Sequence, residues 1–290
     1  MKYESIAELI KLAEEKGCRI SDVVCAEQAD AQGITIECLR EKMHQAFQVM
    51  KDSSEEGFDP EKRSASGLTG GDAYKMKQAV DQNKNICGKI FGEALAKALS
   101  VSQTNACMGR IVAAPTAGSC GILPAALITI MEAKKIPEET VVDALFTASG
   151  LGMVIANKAS IAGAEGGCQA ECGSASAMAA GALVEMCGGT PQMVSHACAI
   201  ALKNILGLVC DPVAGLVEIP CIKRNAMGVA NAFTAAELAL AGIESAIPAD
   251  EVIWAMKRIG DSMPQTLKET AEGGLAATPS GKAMFKKVFG

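Results

Sequence analysis

The stretch GLVCDPVAGLVEIPCIKRN, Gly207 to Asn225, holds two cysteines with ten residues between them, each within two residues of a proline. A thiolate can ligate a soft metal or attack an electrophile, whereas a buried thiol can simply pack. A third cysteine of the same character is Cys168, which follows two glycines in NKASIAGAEGGCQAECG, Asn157 to Gly173. Cys168, Cys210 and Cys221 all fall where a helix is expected to begin or end. Free N–H groups at such a terminus offset the charge of a thiolate. Cys172 lies four residues past Cys168, one residue longer than the C-x-x-C spacing of redox and zinc pairs, so these two are not read as a pair. Three thiolates without an obvious fourth suit an iron–sulfur cluster with one open iron better than a closed zinc site. Spacing alone leaves both readings open, because no four-cysteine signature is present and free cysteines are ordinarily small core hydrophobes.

A second kind of junction is APTAGSCGILPAA, Ala114 to Ala126. Thr116, Ala117, Gly118, Ser119 and Gly121 make a turn of small residues just before a helix. Backbone N–H groups at such a start can hold an anion such as a carboxylate, and glycine lets a ligand approach. The same residues also make an ordinary tight turn before a core helix. Phosphate loops, nucleophile elbows and dinucleotide fingerprints are missing. The two histidines, His44 and His196, both sit in helix-like segments, which argues against a His-based triad or a His-rich zinc site.

The elements that must position these residues are helices. Ile6, Leu9, Ile10 and Ala13 repeat at helical spacing and Gly17 stops the run. Further helices are expected at 22–32, capped by Ser21, and from Thr35 to about Met50. Others are expected at 73–101, 121–134, 138–157, 173–187, 191–206, 221–241 and 249–259, with a short one after Ser280. Asp211 and Pro212 read as an N-cap and first-turn proline for a turn over 213–217. Residues 51–72 are polar and rich in Gly and Ser; they read as a solvated loop, or as a cover over a site through SGLTGGD. Hairpin signals and repeats are lacking, so the expected fold is all-α, with a small N-terminal helical segment and linker, 1–65, before a larger helical domain, 66–290.

Composition narrows the partners. Of 290 residues 49% are hydrophobic but only 3% aromatic, so the core must be built from small and aliphatic side chains. A net charge of −6 gives no basic footprint for nucleic acid. Twenty-one uncharged residues separate Arg110 from Glu132, long enough for a bilayer, but Pro115, Gly118, Gly121 and Pro124 interrupt them, and a buried loop feeding a buried helix is expected. Twelve cysteines and an N-terminus without a secretory h-region point to a reducing, cytoplasmic setting.

Taken together, APTAGSCGILPA, NKASIAGAEGGCQAE and GLVCDPVAGLVEIPCIKRNA resemble the α chain of the bacterial iron–sulfur-dependent L-serine dehydratases, in the right order, with similarity from SGLTGGDAYKM to the end. The resemblance implies an all-α cluster domain in which Cys168, Cys210 and Cys221 hold a [4Fe–4S] cluster; Cys172 falls where that family does not require cysteine. It implies elimination of water from L-serine, yielding pyruvate and ammonia. On that basis Thr116 to Gly121, with the Ser119 hydroxyl, are expected to bind the substrate carboxylate. Lys158, Ser160 and Glu165 are expected near the cluster, and Arg224 and Asn225 as groups supporting it. Single-chain relatives carry a further domain with a Ser- and His-rich segment that residues 1–65 do not resemble. The resemblance therefore implies a partner, the β subunit. Some relatives place a C-terminal cysteine on the open iron, whereas this sequence ends FKKVFG.

Three other readings compete. A pyridoxal-phosphate dehydratase would use Lys158 as its Schiff-base lysine but calls for strands that the pattern lacks. A cluster enzyme acting on L-cysteine would differ in its leaving group. A non-catalytic cluster-bearing subunit would hold iron and sulfide without turnover.

Overall fold

The structure is a computed structural model that describes residues 3–290. Its first helices are α1 (Ile6–Lys16), α2 (Ile20–Gln32), α3 (Ile36–Glu56), α4 (Asp72–Asp81), α5 (Gly88–Ala106), α6 (Ile122–Lys134) and α7 (Glu138–Lys158). There follow α8 (Gly163–Gly166), α9 (Ser174–Met186), α10 (Pro191–Lys203), α11 (Cys221–Leu240), α12 (Ala249–Ser262) and α13 (Pro279–Phe289). Among the described residues there is no β-strand, only an isolated bridge between Cys210 and Lys268. The fold is all-α, as its periodicity implies.

Several boundaries differ from expectation, each for a local reason. The N-cap of α2 is Arg19, not Ser21, because Asp22 reaches back to the Arg19 amide. Helix α3 runs to Glu56, so the first part of the polar stretch 51–72 is helical. The single helix expected over 73–101 is two, broken where Asn83 takes φ 53° and Gly88 φ 79°. Asp211 does not cap the following turn; Pro212 precedes a 3₁₀ turn over Val213–Gly215, and the Asp211 carboxylate is used elsewhere.

The centre of the molecule is α9, SASAMAAGALVEM, in which every residue but Glu185 is buried. It packs between α7, α10 and α11. Small side chains make that close approach possible: a Cβ on Gly181 would lie 2.3 Å from Leu151 Cδ1. Helices α1 and α2 join the same core through Tyr3, Ile6, Leu9, Ile20 and Val24. Arg19 and Arg40 both bind the Asp143 carboxylate, fixing α2 and α3 on α7. The uncharged run before Glu132 splits into a loop and α6, only 13 residues long. Helix α7 has the length and hydropathy of a membrane span, but 67% of its apolar window is buried inside this fold.

Glu185 is the charged residue of α9. Its Oε2 accepts a hydrogen bond from the Ser21 amide at the start of α2, 3.3 Å away. Burial nevertheless outweighs that bond and holds its carboxyl above the ordinary range. A carboxyl raised in the folded state costs stability once pH exceeds its ordinary range and costs nothing below it. Glu185→Gln is therefore expected to stabilise the fold at neutral pH by about 0.5–2 kcal/mol, the gain vanishing in acid, as read by urea unfolding at both pH values.

Candidate functional site

The three cysteine-bearing segments meet. Helix α8 ends at Gly167, with φ 77°, and Cys168 leads into a π-helical turn over Gln169–Gly173 before α9 begins. Such turns are rare and widen the helix locally. Cys168 Sγ lies 3.4 Å from Cys172 Sγ, and the Cys210 thiol also hydrogen-bonds to the Cys168 sulfur. Cys221 opens α11 and acts electrostatically on the same group. All four thiols are buried. The separation drawn from the C-x-x-x-C spacing between Cys168 and Cys172 thus does not survive folding, since the two sulfurs touch.

Charge follows from this packing. Hydrogen bonds from Cys172 and Cys210 hold the Cys168 thiol well below its ordinary range despite burial, and the Arg224 guanidinium adds to the effect. Its neighbours move the other way. Cys172 and Cys210 are raised, first by their bonds to Cys168 and then by burial. Cys221 is pushed up to about 12 by burial and by the charge on Cys168. Contact and burial thus disfavour charge on three of the thiols, while Arg224 favours it on Cys168.

Three side chains fix the segments to one another. Gln169, 1% exposed, donates to the carbonyls of Gly166 and Met256, each at 2.9 Å, and accepts from the Gly207 amide at 2.9 Å. Asn225 donates to the carbonyls of Gly118 and Cys221 and accepts from the Gly121 amide, joining α11 to the loop before α6. Arg224 donates to the Val209 carbonyl and pairs with Asp211, both at 2.8 Å. Gly163 leaves room for the sulfur: a Cβ there would fall 2.8 Å from Cys210 Sγ and 2.9 Å from Glu171 Oε2.

The loop Thr116–Gly121 lies against this group. Ala117–Ser119 form a 3₁₀ turn, and the Thr116 and Ser119 hydroxyls are 3.0 Å apart. Ser119 is fully buried, and the Gly121 amide is already taken by Asn225. Between loop and thiols stands Glu171, which hydrogen-bonds with Thr116 and lies 4.0 Å from Cys210 Sγ. Burial and the charge on Cys168 push its carboxyl up to about 7. The SGLTGGD segment reaches the same region, for Ser66 and Thr69 both donate to Glu218, three residues before Cys221.

The remaining sequence candidates sit further out. Ser160 donates to Glu165 at 2.7 Å, in a crevice walled by Gly166, Met256, Lys257 and Asp261. Lys158, half exposed at the end of α7, faces Glu4 at 3.8 Å. Sequence reasoning passed over Gln169 and Glu171. Both lie in QAECG, where an amide and a carboxylate look like the exposed face of a helix until the π turn buries them.

Among the described residues no three of His, Cys, Asp or Glu surround a point as they would a single metal ion. An all-sulfur donor set drawn from three segments, with a buried cation beside it, has instead the chemistry that iron–sulfur clusters take. The residues fit such a group. In comparison with known proteins, residues 15–276 match the family described as serine dehydratase alpha chain. The chain belongs to that family. It is 50% identical over 288 residues, 99% of its length, to the "Probable L-serine dehydratase, alpha chain" of Bacillus subtilis, covering 96% of it. It is 46% identical over 275 residues to the "L-serine dehydratase, alpha chain" of Peptoniphilus asaccharolyticus, covering 95% of this chain and 94% of that one. Against the longer "L-serine dehydratase TdcG" of Escherichia coli it is 36% identical over 291 residues, covering 94% of this chain and 61% of that protein. Serine dehydratase alpha chains are thus the setting in which its buried thiols must be understood.

Because Gln169 bonds three backbone groups at once, Gln169→Leu strands the Gly166 carbonyl and the Gly207 amide and removes a second bond from the Met256 carbonyl within α12. Each stranded buried group costs about 1–3 kcal/mol, so thermal unfolding should fall well below the parent, while a substitution at exposed Lys158 leaves it unchanged.

Proposed function

We propose that this chain is the cluster-bearing alpha subunit of an L-serine dehydratase, which with a β subunit converts L-serine to pyruvate and ammonia. The observation that carries the reading is the convergence of Cys168, Cys210 and Cys221, from three distant segments, beside the loop Thr116–Gly121. The names of its relatives, L-serine dehydratase alpha chains, support both the substrate and the two-chain organisation. In this reading the three cysteines hold a [4Fe–4S] cluster. When bound, it would supply Lewis acidity toward the β-hydroxyl of the substrate, turning a poor leaving group into a good one.

The chain's own residues would do the rest. Arg224 offsets the negative charge that thiolates bring into a buried site, and Asp211 keeps its guanidinium aimed there. Thr116, Ala117, Gly118, Ser119 and Gly121 would receive the substrate carboxylate, with Asn225 fixing the loop from behind. Glu171 stands between loop and thiols and is this chain's candidate for taking the Cα proton, on position alone. Ser160 and Glu165 would support the segment leading to Cys168, whereas Lys158 is too far toward the surface to be given a role. Twelve free cysteines suit a reducing compartment, consistent with a cytoplasmic protein.

The test is anaerobic purification of the alpha chain with its β partner, followed by iron, sulfide and pyruvate assays. Activity with L-serine that bleaches in air, and is lost with the colour in Cys210→Ser or Cys221→Ser, is the expected result. A colourless pair that still forms pyruvate would sink the cluster reading. Sulfide release from L-cysteine in preference to turnover of L-serine would shift the substrate. Arg224→Gln is expected to lower iron affinity by about 10–100-fold, measured by reconstitution at limiting iron.

A further inference from the structure

Residues of α3, α4, α5 and α6 line a cavity of about 460 Å³ that includes no cysteine and no residue of the loop Thr116–Gly121. That volume is in the range of small-molecule sites. Four of the charges lining it are committed to one another. Lys77 pairs with Glu93 at 2.8 Å, Glu93 lies 3.8 Å from Lys97, and Lys97 pairs with Glu132 at 2.9 Å. Lys97 is only 4% exposed, and the two carboxylates offset the cost of burying its charge.

Three further groups in the same cavity lack partners. Glu55, in the last turn of α3, and Lys89, in the first turn of α5, carry opposite charges, yet neither side chain meets a partner among the described residues. Thr129 of α6 is 2% exposed, and its Oγ1 is buried without a hydrogen bond. A threonine within a helix ordinarily bonds back to a carbonyl one turn earlier, so an orphaned hydroxyl on a cavity wall marks an unmet need. The rest of the lining is apolar: Phe58, Ala133 and Ile90, the last left 47% exposed. A simple anion drawn to Lys89 would be opposed by the carboxylates of Glu55 and Glu132. A simple cation drawn to Glu55 would be opposed by the ammonium groups of Lys89 and Lys77. A zwitterion answers both signs at once, and an aliphatic side chain on it would cover Phe58 and Ile90.

We propose that this cavity binds a free α-amino acid with an aliphatic side chain, its carboxylate held by Lys89 and its ammonium by Glu55. Threonine in a helix has two open rotamers, and the ligand would select the one that turns the Thr129 hydroxyl toward its carboxylate. The site is independent of the cluster reading, since it uses none of the same residues.

The test is calorimetric titration of the alpha chain assembled with its β partner, with L-leucine as the probe. Saturable binding is expected, and Lys89→Ala and Glu55→Gln should each weaken it about tenfold or more. Both side chains are exposed, so these variants keep the fold. Thr129→Val, which keeps the shape and loses the donor, should weaken binding by a smaller factor without lowering thermal stability. The analogue of leucine that lacks the ammonium group should bind weakly and be indifferent to Glu55→Gln. Absence of binding at millimolar L-leucine, or binding that Lys89→Ala and Glu55→Gln leave intact, would overturn the proposal. So would a cavity that prefers L-serine to L-leucine in competition.

Discussion

The packing of four thiols into one buried space beside a guanidinium is the constraint from which the rest of this structure follows. Negative charge on sulfur is costly in an apolar interior, and the Arg224 guanidinium together with neighbouring thiols lowers that cost at Cys168. That arrangement draws Arg224 inward, where it must in turn be paired, and Asp211 meets that need. Asp211 also accepts from the Leu275 amide, so the charge balance at the centre reaches the C-terminal turn. Removing any one of these groups leaves an uncompensated charge or donor in the interior, which costs more than the pair contributes when whole.

Such a site requires backbones to come close together, which explains the composition. An aromatic-poor chain with α9 rich in Ala, Ser and Gly lets α7, α10 and α11 approach until side chains interlock. The same economy of size recurs at the site, where Gly163, Gly167 and Gly118 clear the space around Cys210, Met263 and Glu171. Rigidity then comes from hydrogen bonds, not bulk. Gln169 and Asn225 each bind three or more groups from separate segments, so the thiols and the loop are positioned by the core without large apolar anchors.

Much of the fold was legible because its signals are local. The spacing of Ile6, Leu9, Ile10 and Ala13, the stop at Gly17, and the cap at Thr35 all act within one or two turns. The break at Asn83 was not legible, since apolar periodicity on both sides of DQNKN continues in register and only the φ of Asn83 ends it. At the site, cysteines beside Gly and Pro could be picked out by type and neighbours. Glu171, Gln169 and the contact of Cys172 with Cys168 could not, because a π turn has no composition signature and the carboxylate and amide of QAECG read as solvent-facing. Asn225 and Arg224 were recognisable only as neighbours of Cys221; that one binds the loop and the other the sulfur is a product of tertiary packing.

The central claim is that the convergent thiols hold a cluster at which the substrate arrives. Mössbauer spectroscopy of the alpha–β protein reconstituted with isotopically enriched iron tests it most directly. The account predicts a cubane cluster of about four irons per alpha chain, in which the spectrum of a single iron changes when L-serine is added. A spectrum indifferent to L-serine, or protein that takes up no iron, would contradict it.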